Sequence, residues 1–292
     1  MAHLSTAPPL DANFYKIGAE ELSFFKSSTG IQDDDALKEH ILIIQEKAYA
    51  VAPYPCIRLF AFTELRISNH PVYRLALKLG RERKDAILLD IGCCFGNDVR
   101  KAVADGFPVQ NVLAMDLVPD LWDLGHEMFK TTPGSFPAHF IAGDAFDPDM
   151  LSIEEPLATT GAGRPREALD LSTFNSLNPL RGRLSAIHAA SLFHLFDEEK
   201  QRHLAHALAG LLSPEPNSVI FGAHRGAPKN KVLSDVANAT MFAMFCHSPD
   251  SWVELWDGDV FPRGTVRVEA TLKDVVVKNE KAWMLVWSVT RL

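Results

Sequence analysis

The sequence lacks an excess of basic residues and any long apolar run. Lysine and arginine total 29 against 37 aspartates and glutamates, so the composition does not provide the basic surface that nucleic acid or an anionic membrane binds. No stretch approaches the roughly 18 consecutive apolar residues of a membrane-spanning helix. The opening MAHLSTAPPLDANFYK has neither the basic nor the apolar region of a secretory signal. We therefore expect a cytoplasmic protein that binds neither nucleic acid nor membranes.

Cysteine is scarce as well. The four cysteines, Cys56, Cys93, Cys94 and Cys246, are too few and too scattered for a disulfide framework. Reduced thiols in a cytosol-like compartment are the better interpretation. Cys93 and Cys94 are adjacent and cannot chelate as a C-x-x-C pair does, so we expect no metal site. The remaining composition, 47% hydrophobic, is that of a globular protein with a sizeable core.

Residues 20–79 have a mostly helical pattern. The stretch 37–50 carries one apolar stripe and predicts an amphipathic helix. The stripe consists of Leu37, Ile41, Ile44 and Ala48. Pro53 and Pro55 end this helix. A further helix is predicted at 71–79, closed by Gly80. We expect residues 1–80 to form one unit and residues 81–292 a second.

From residue 86 onward, strand-like and helix-like stretches alternate, which predicts an α/β fold with a parallel sheet. The predicted strands are 86–91, 111–117, 138–146, 183–190 and 218–224, and the predicted helices are 97–107, 121–130 and 197–212. The last two strand-like runs, TVRVEATLKDVVVKN and KAWMLVWSVTRL, predict an antiparallel hairpin. Residues 151–182, with Gly161, Gly163 and Pro165, predict a surface insertion or lid.

Acidic residues stand at the ends of three predicted strands. Asp90 precedes the turn from Gly92 to Gly96, Asp116 ends the second strand, and Asp144 follows the third. Ligands of open α/β sheets bind beyond the carboxyl ends of the strands. Asp116 can accept hydrogen bonds from two ribose hydroxyls, and Asp144 from an adenine amine, with Ala145 or Phe146 against the ring. These residues predict a site for an adenosine.

The turn does not fit a phosphate-bearing adenosine. It lacks the middle glycine of G-x-G-x-x-G and the G-K-[ST] of a P-loop. Asp98 would also stand in the first turn of the next helix, where its charge repels phosphate. A cationic adenosine without phosphate, S-adenosylmethionine, fits better. A nicotinamide-dependent oxidoreductase is the weaker alternative because it needs a pyrophosphate-binding loop.

The stretch LLDIGCCFG, followed by AMDL, AGDAF and AIHAASLFHLF, resembles the ordered motifs of class I S-adenosylmethionine-dependent methyltransferases over roughly residues 85–292. The N-terminal EELSFFKSSTGIQDDD and YPCIRLFAFTELRISNHPVY, with the later MFCHSPDSW, are similar to small-molecule methyltransferases of fungal secondary metabolism, including meroterpenoid pathways. The resemblance implies a Rossmann-like, mostly parallel seven-stranded sheet with a C-terminal antiparallel hairpin and an N-terminal helical cap. It also implies methyl transfer to a carboxylate or hydroxyl oxygen of a lipophilic aromatic or terpenoid acceptor.

The resemblance also implies which residues bind the cofactor. They are Asp90, Gly92, Cys93, Cys94, Gly96, Asp116, Leu117, Asp144, Ala145, Phe146, His188 and Ala189. Cys94 departs from the family pattern D-x-G-x-G-x-G, which has glycine at that position. Arg58 of the cap is a candidate for the methionine carboxylate or an acceptor carboxylate, and a surface salt bridge explains it equally well.

His188 and His247 are the candidate general bases, because imidazole titrates near neutrality. A carboxylate acceptor would need no base, whereas a hydroxyl would benefit from one. The candidate acceptor pocket comprises Tyr54, Phe62, Met241, Phe245, His247, Trp252 and Trp256. Ordinary core packing explains its aromatic members as well as a pocket wall does. Two further hypotheses stay open: N- or C-methylation, and a methyltransferase fold without methyl transfer, such as a pericyclase or a regulatory partner.

Overall fold

A seven-stranded sheet forms the centre of the protein in a computed structural model, which describes residues 7–158, 169–233, 244–277 and 280–292. The strand order is β3-β2-β1-β4-β5-β9-β8. The first five strands pair in parallel, and β9 pairs antiparallel with both β5 and β8. The strands are β1 Leu88–Ile91, β2 Val112–Asp116, β3 His139–Ala142, β4 Ala186–His188, β5 Val219–Gly226, β8 Val266–Val277 and β9 Glu280–Arg291. The prediction of a mostly parallel sheet with a terminal hairpin is confirmed.

Helices cover both faces of this sheet. Four precede it: α1 Ala19–Thr29, α2 Asp34–Val51, α3 Pro55–Arg58 and α4 Tyr73–Glu82. Three connect parallel strands: α5 Asn97–Ala104, α6 Pro119–Met128 and α7 Glu198–Leu211. A small hairpin of β6 Lys231–Leu233 and β7 Met244–Cys246 leads into α8 Pro249–Trp256. Buried residues of α4, α5 and α6 form one core and those of α7 and α8 another.

Local sequence signals explain several helix boundaries. Asp33 caps α2 by accepting the Ala36 N–H at 2.9 Å, and Asp197 caps α7 by accepting the Lys200 N–H at the same distance. The predicted stripe of α2 is fully buried, with Leu37, Ile41, Ile44 and Ala48 at most 1% exposed. This stripe holds the cap onto the rest of the molecule.

Residues of the cap share a core with the sheet domain. Phe25 of α1 stacks on Phe129, just after α6, with ring centroids 5.2 Å apart and planes at 10°. His40 of α2 lies with Nε2 2.8 Å from the Met128 carbonyl oxygen. Phe95 of the turn after β1 belongs to the same apolar cluster. The helical segment therefore packs directly beside the predicted binding turn.

Two sequence-based expectations were wrong in detail. Helix α4 does not end at Gly80 but continues to Glu82. A Cβ at position 80 would lie 2.6 Å from the Phe107 ring, so this glycine serves close packing instead of termination. The strands predicted at 138–146 and 183–190 are also shorter, since pairing stops at Ala142 and His188.

The region between β3 and β4 packs more firmly than a surface insertion would. Its described parts, 151–158 and 169–182, include the short 3-10 helices Leu171–Thr173 and Asn178–Leu180. Leu171, Leu177 and Leu180 are at most 3% exposed and join the larger core. Gly161, Gly163 and Pro165 lie outside the described residues. In the described part of the chain, every helix is too short or too polar to cross a bilayer.

Candidate cofactor and active site

The turn from β1 to α5 has an unusual backbone. Gly92, Cys94 and Gly96 all have positive φ, at 73°, 51° and 70°. The N–H groups of Gly92 and Cys93 both donate to the Met115 carbonyl of β2, at 2.8 and 3.2 Å. Cys94 thus adopts the left-handed conformation that the family pattern assigns to glycine, at a cost of about 1–2 kcal/mol. The departure at Cys94 leaves the shape of the turn intact.

Asp116 joins the end of β2 to this turn. Its Oδ2 accepts the Cys94 N–H at 2.8 Å and its Oδ1 accepts the Val118 N–H at 3.0 Å. The carboxylate has about four acceptor positions, more than its backbone donors occupy, so acceptor capacity remains for a ligand. Burial raises the pKa of Asp116, and hydrogen bonds from the Val118, Cys94 and Leu117 N–H groups oppose that rise. The carboxylate is therefore fixed in place with free acceptor capacity.

The third strand end lies directly beside the second. The Gly143 N–H donates to the Asp116 carbonyl at 3.0 Å, and exposed Asp144 accepts the Phe146 N–H through Oδ1 at 2.9 Å. Leu117, next to Asp116, is 61% exposed and offers an apolar surface. The Phe146 ring instead packs 4.7 Å from Phe196. The structure thus brings together the residues predicted for ribose and adenine.

Asp90 and His188 are buried behind the turn, and the partly buried Asp98 lies beside them. Nδ1 of His188 lies 2.8 Å from Asp90 Oδ1 and 3.9 Å from Asp98 Oδ2. Burial lowers the pKa of His188, but the two carboxylates raise it more, so the net shift is upward. His188 is 1% exposed and the following Ala189 is 0% exposed. This geometry fits a histidine that holds the Asp90 carboxylate in place.

The cap places Tyr54 and Phe62 close to the turn but Arg58 elsewhere. Burial raises the pKa of Tyr54, and the charge of Asp116 adds to the rise. Phe62 is buried, with its ring 4.9 Å from that of Phe95. Arg58 donates through Nε to the Pro9 carbonyl at 2.8 Å and stacks over the Phe14 ring. The contacts of Arg58 are thus with the N-terminal segment.

A histidine–tryptophan cluster, consisting of His224, His247, Trp252, Trp256 and Trp287, lies beyond the carboxyl end of β4. Ring centroids of Trp252 are 4.7 Å from His224, 5.1 Å from His247 and 4.9 Å from Trp287. Trp252 and Trp256 have no exposed surface. Phe245 touches the cluster, with its ring 4.8 Å from His247, whereas Met241 lies outside the described residues. Four of the seven candidate acceptor residues therefore meet in one place.

The cluster contains polar atoms without a hydrogen-bond partner. These atoms are His224 Nε2, His247 Nε2, Trp252 Nε1 and Trp256 Nε1, all buried within the described part of the chain. The Trp287 indole donates to His224 Nδ1 at 2.9 Å, which leaves the proton of neutral His224 on Nε2. Burial lowers the pKa of His224 well below its usual value. His224 is therefore a neutral hydrogen-bond donor.

The tautomer of His247 follows from its neighbours. Ser251 Oγ donates its single hydrogen to the Asn230 side-chain oxygen at 2.6 Å or to the Ser248 carbonyl at 3.2 Å, and in either case it accepts from His247 Nδ1, 2.8 Å away. Nε2 of His247 consequently carries a free electron pair. Burial lowers the pKa of His247 to about 4, which keeps it neutral at pH 7. His247 can accept a hydrogen bond or a proton at Nε2.

Two arginines near the turn escaped the sequence-based predictions. Arg100 of α5 donates through Nη1 to the carbonyls of Phe95 and Gly96, at 2.9 and 3.3 Å. Its guanidinium lies 5.1 Å or less from the ring centroids of Trp122, Phe129 and Phe136. Arg66 lies in the cap segment that contacts Asp98. No motif marks either residue; the position of Arg100 four residues after Gly96 was the available signal.

Comparison with known proteins supports the same family. The model of the meroterpenoid methyltransferase N-terminal domain matches residues 11–63. Methyltransferase ausD of Penicillium brasilianum is 30% identical over 223 residues, which cover 76% of this chain and 70% of that protein. The chain belongs to this family of fungal secondary-metabolism methyltransferases.

Two further similarities are weaker, the first in coverage and the second in identity. O-methyltransferase atr3 of Stereocaulon alpinum is 33% identical over 193 residues, covering 66% of this chain and 48% of that protein. A solved structure of the 1,6-didemethyltoxoflavin-N1-methyltransferase of Burkholderia thailandensis, with its substrate and S-adenosylhomocysteine, is 13% identical. The match covers 86% of this methyltransferase and 89% of that chain, with a TM-score of 0.48.

Proposed function

We propose that this methyltransferase transfers a methyl group from S-adenosylmethionine to a carboxylate or hydroxyl oxygen of a lipophilic small-molecule natural product. The observation that carries the proposal is the Asp116 carboxylate, held by two backbone N–H groups at 2.8 and 3.0 Å beside Asp144 at the next strand end. This pair fits the hydroxyls and amine of an adenosine. The name of the relative atr3, an O-methyltransferase, supports oxygen as the methylated atom.

The residues around the turn fit a cationic nucleoside. S-adenosylmethionine supplies a methyl group on a positively charged sulfur, which an acceptor oxygen can take by in-line displacement. Asp90, Asp98 and Asp116 surround the turn with negative charge, and the interaction of that charge with a cation is strong where water is excluded. Tyr54 and Leu117 border the same carboxylate, so they are positioned to contact the ribose and the adenine ring.

The histidine–tryptophan cluster provides the candidate acceptor site. Half-buried Phe245 at the edge of the cluster supplies apolar surface, and His224 Nε2 supplies a buried donor. His247 Nε2 supplies a buried acceptor, and we assign it the role of receiving the hydrogen of a hydroxyl substrate. A carboxylate substrate would need only the donor. We assign His188 to positioning Asp90, because its Nδ1 is already engaged and the residue is 1% exposed.

Replacement of Asp116 by asparagine tests the cofactor site. We expect Asp116→Asn to weaken binding of S-adenosylhomocysteine at least tenfold, since hydrogen bonds to a charged group contribute about 1.5–3 kcal/mol. Isothermal titration calorimetry measures the loss. Asp120→Asn, which removes the same charge from an exposed position in the first turn of α6, is the matched control and should bind as the wild type does.

Labelled donor and a panel of lipophilic acids and phenols test the reaction. We expect label in a base-labile ester when an acid is the acceptor and in a stable ether when a phenol is. Absence of binding heat with S-adenosylhomocysteine would overturn the assignment of the cofactor. Label found only on nitrogen or carbon acceptors would overturn the assignment to oxygen.

A further inference from the structure

The cap segment Leu65–His70 lies against the catalytic edge of the sheet. The Ile67 N–H donates to Asp98 Oδ1 at 2.9 Å, and Asp98 in turn lies 3.9 Å from His188 at the end of β4. The His70 ring lies 5.0 Å from Phe221 of β5. Leu65 and Ile67 are 0% exposed, so both anchor the segment. Arg66, between them, is held at the boundary between the cap and the strand ends.

In the described part of the chain, the Arg66 guanidinium makes an ion pair with an exposed carboxylate, and its charge also lowers the pKa of Asp98. Its recorded ion pair is with Glu64, two residues earlier, whose side chain is 55% exposed, whereas the Arg66 side chain is only 23% exposed. A pair with such an exposed carboxylate contributes at most about 1 kcal/mol and is easily exchanged. The guanidinium is thus partly buried while much of its hydrogen-bonding capacity is available to a ligand.

The charge of Arg66 acts on groups at and after the end of β4. Burial and, to a smaller extent, the Arg66 charge lower the pKa of His194, in the loop after β4, to about 4. The same charge opposes protonation of His188. Nδ1 of His194 is buried and has no hydrogen-bond partner in the described part of the chain. The Arg66 guanidinium and the unpaired Nδ1 of His194 therefore border one region at the end of β4.

The rest of this region is unfavourable to an anion. Asp90 and Asp98 lie behind the turn and Asp116 lies beside it. These carboxylates attract a sulfonium or ammonium group but repel a carboxylate. A ligand that carries both a positive and a negative group therefore needs a cationic side chain beside its negative group. A guanidinium meets this need best, because its planar fork binds a carboxylate through two parallel hydrogen bonds.

We propose that Arg66 binds the carboxylate of a molecule held at the turn between Gly92 and Gly96. The inference rests on the proposed function and extends it by assigning a residue to the anionic group. That carboxylate has two possible sources, the methionine part of S-adenosylmethionine or an acidic acceptor. In either case the cap completes the binding site, because the side chains of Asp90, Asp98 and Asp116 at the turn and strand ends are acidic and Arg100 is engaged by carbonyls of the turn.

Binding measurements on full-length Arg66→Gln and Arg66→Lys distinguish the two sources. If the cofactor supplies the carboxylate, Arg66→Gln weakens S-adenosylhomocysteine binding at least tenfold. The same variant leaves 5′-methylthioadenosine, which has no carboxylate, unchanged. Arg66→Lys retains the charge but loses the planar fork, so its affinity for S-adenosylhomocysteine lies between those of the wild type and Arg66→Gln. Arg74→Gln, which removes an exposed arginine of α4, is the matched control.

A second titration covers the acceptor. Protein saturated with S-adenosylhomocysteine is titrated with benzoate and with benzyl alcohol. If the acceptor supplies the carboxylate, Arg66→Gln weakens benzoate binding at least tenfold and leaves benzyl alcohol unchanged. The proposal is overturned if Arg66→Gln matches the wild type for both S-adenosylhomocysteine and benzoate, or if 5′-methylthioadenosine is weakened equally. A wild-type protein that does not bind S-adenosylhomocysteine overturns the proposed function itself.

Discussion

At the scale of single residues, the binding turn depends on Arg100, which is 5% exposed and surrounded by aromatic rings. Its guanidinium donates to two carbonyls of the turn, at Phe95 and Gly96. Burial lowers the pKa of Arg100 to about 10, so it remains charged at pH 7. Such a buried charge stabilises the fold only while its hydrogen bonds and ring contacts persist.

We expect Arg100→Lys to lower the free energy of unfolding by at least about 2 kcal/mol. Lysine cannot reach both carbonyls with one ammonium, and it loses the planar stacking that favours arginine over aromatic rings. Urea titration followed by fluorescence measures the change. Arg74→Lys on the surface should stay within about 0.5 kcal/mol of the wild type. Equal stability of the two variants would contradict this role of Arg100.

At the scale of secondary-structure elements, α6 approaches the turn closely at Gly125. A Cβ at this position would lie 2.2 Å from the Phe95 carbonyl oxygen, a backbone atom that cannot rotate away. The contact fixes the distance between α6 and the turn. It therefore fixes the separation between the Asp116 strand end, from which α6 starts, and the glycines.

Gly125→Ala should separate α6 from the turn, lower the free energy of unfolding by about 1–3 kcal/mol and weaken S-adenosylhomocysteine binding. Thermal unfolding and calorimetry give the two readouts. Gly134→Ala is the matched control, since the nearest atom to its new Cβ would be 3.8 Å away. A Gly125→Ala protein as stable as the Gly134→Ala protein would show that the helix position is not set by this contact.

At the scale of the whole molecule, buried histidines make stability depend on pH. Burial lowers the pKa of His70, His194 and His247 to about 4, and that of His224 well below 6.5. The unfolded chain takes up protons at these residues near pH 6.5, whereas the folded protein does not. Stability therefore falls as the pH drops below about 6.5. Asp98, Asp116 and His188, whose pKa values are raised, act in the opposite direction but are fewer.

We expect the urea midpoint to be lower at pH 5 than at pH 7. His224→Asn should reduce the difference between the midpoints at pH 5 and pH 7. The asparagine oxygen can still accept the Trp287 N–H, whereas asparagine takes up no proton when the protein unfolds. Equilibrium titrations at pH 5, 6 and 7 provide the measurement. A urea midpoint that stays constant or rises toward pH 5 would mean that the groups with raised pKa values outweigh the buried histidines.

The sequence predicted the parts of the site that depend on local order along the chain. Asp116 and Asp144 follow strands that could be recognised by their apolar runs, and parallel strands bring their ends together. The roles of Arg66 and Arg100 could not be predicted in this way. The rings around Arg100 and the contact of the Arg66 segment with Asp98 come from segments distant in sequence, and only the hydrogen bonds of Arg100 to Phe95 and Gly96 are local. Arg58 was a reasonable candidate by charge alone, yet its partners are Pro9 and Phe14.

The shared core of cap and sheet domain has a consequence for engineering new substrate preferences. Because Phe25 stacks on Phe129 and His40 meets Met128, the boundary between the two parts runs through a packed interface rather than a linker. Exchanging residues 1–80 between relatives would leave mismatched apolar surfaces facing each other. Chimeras should therefore transplant the face of α6 together with the cap.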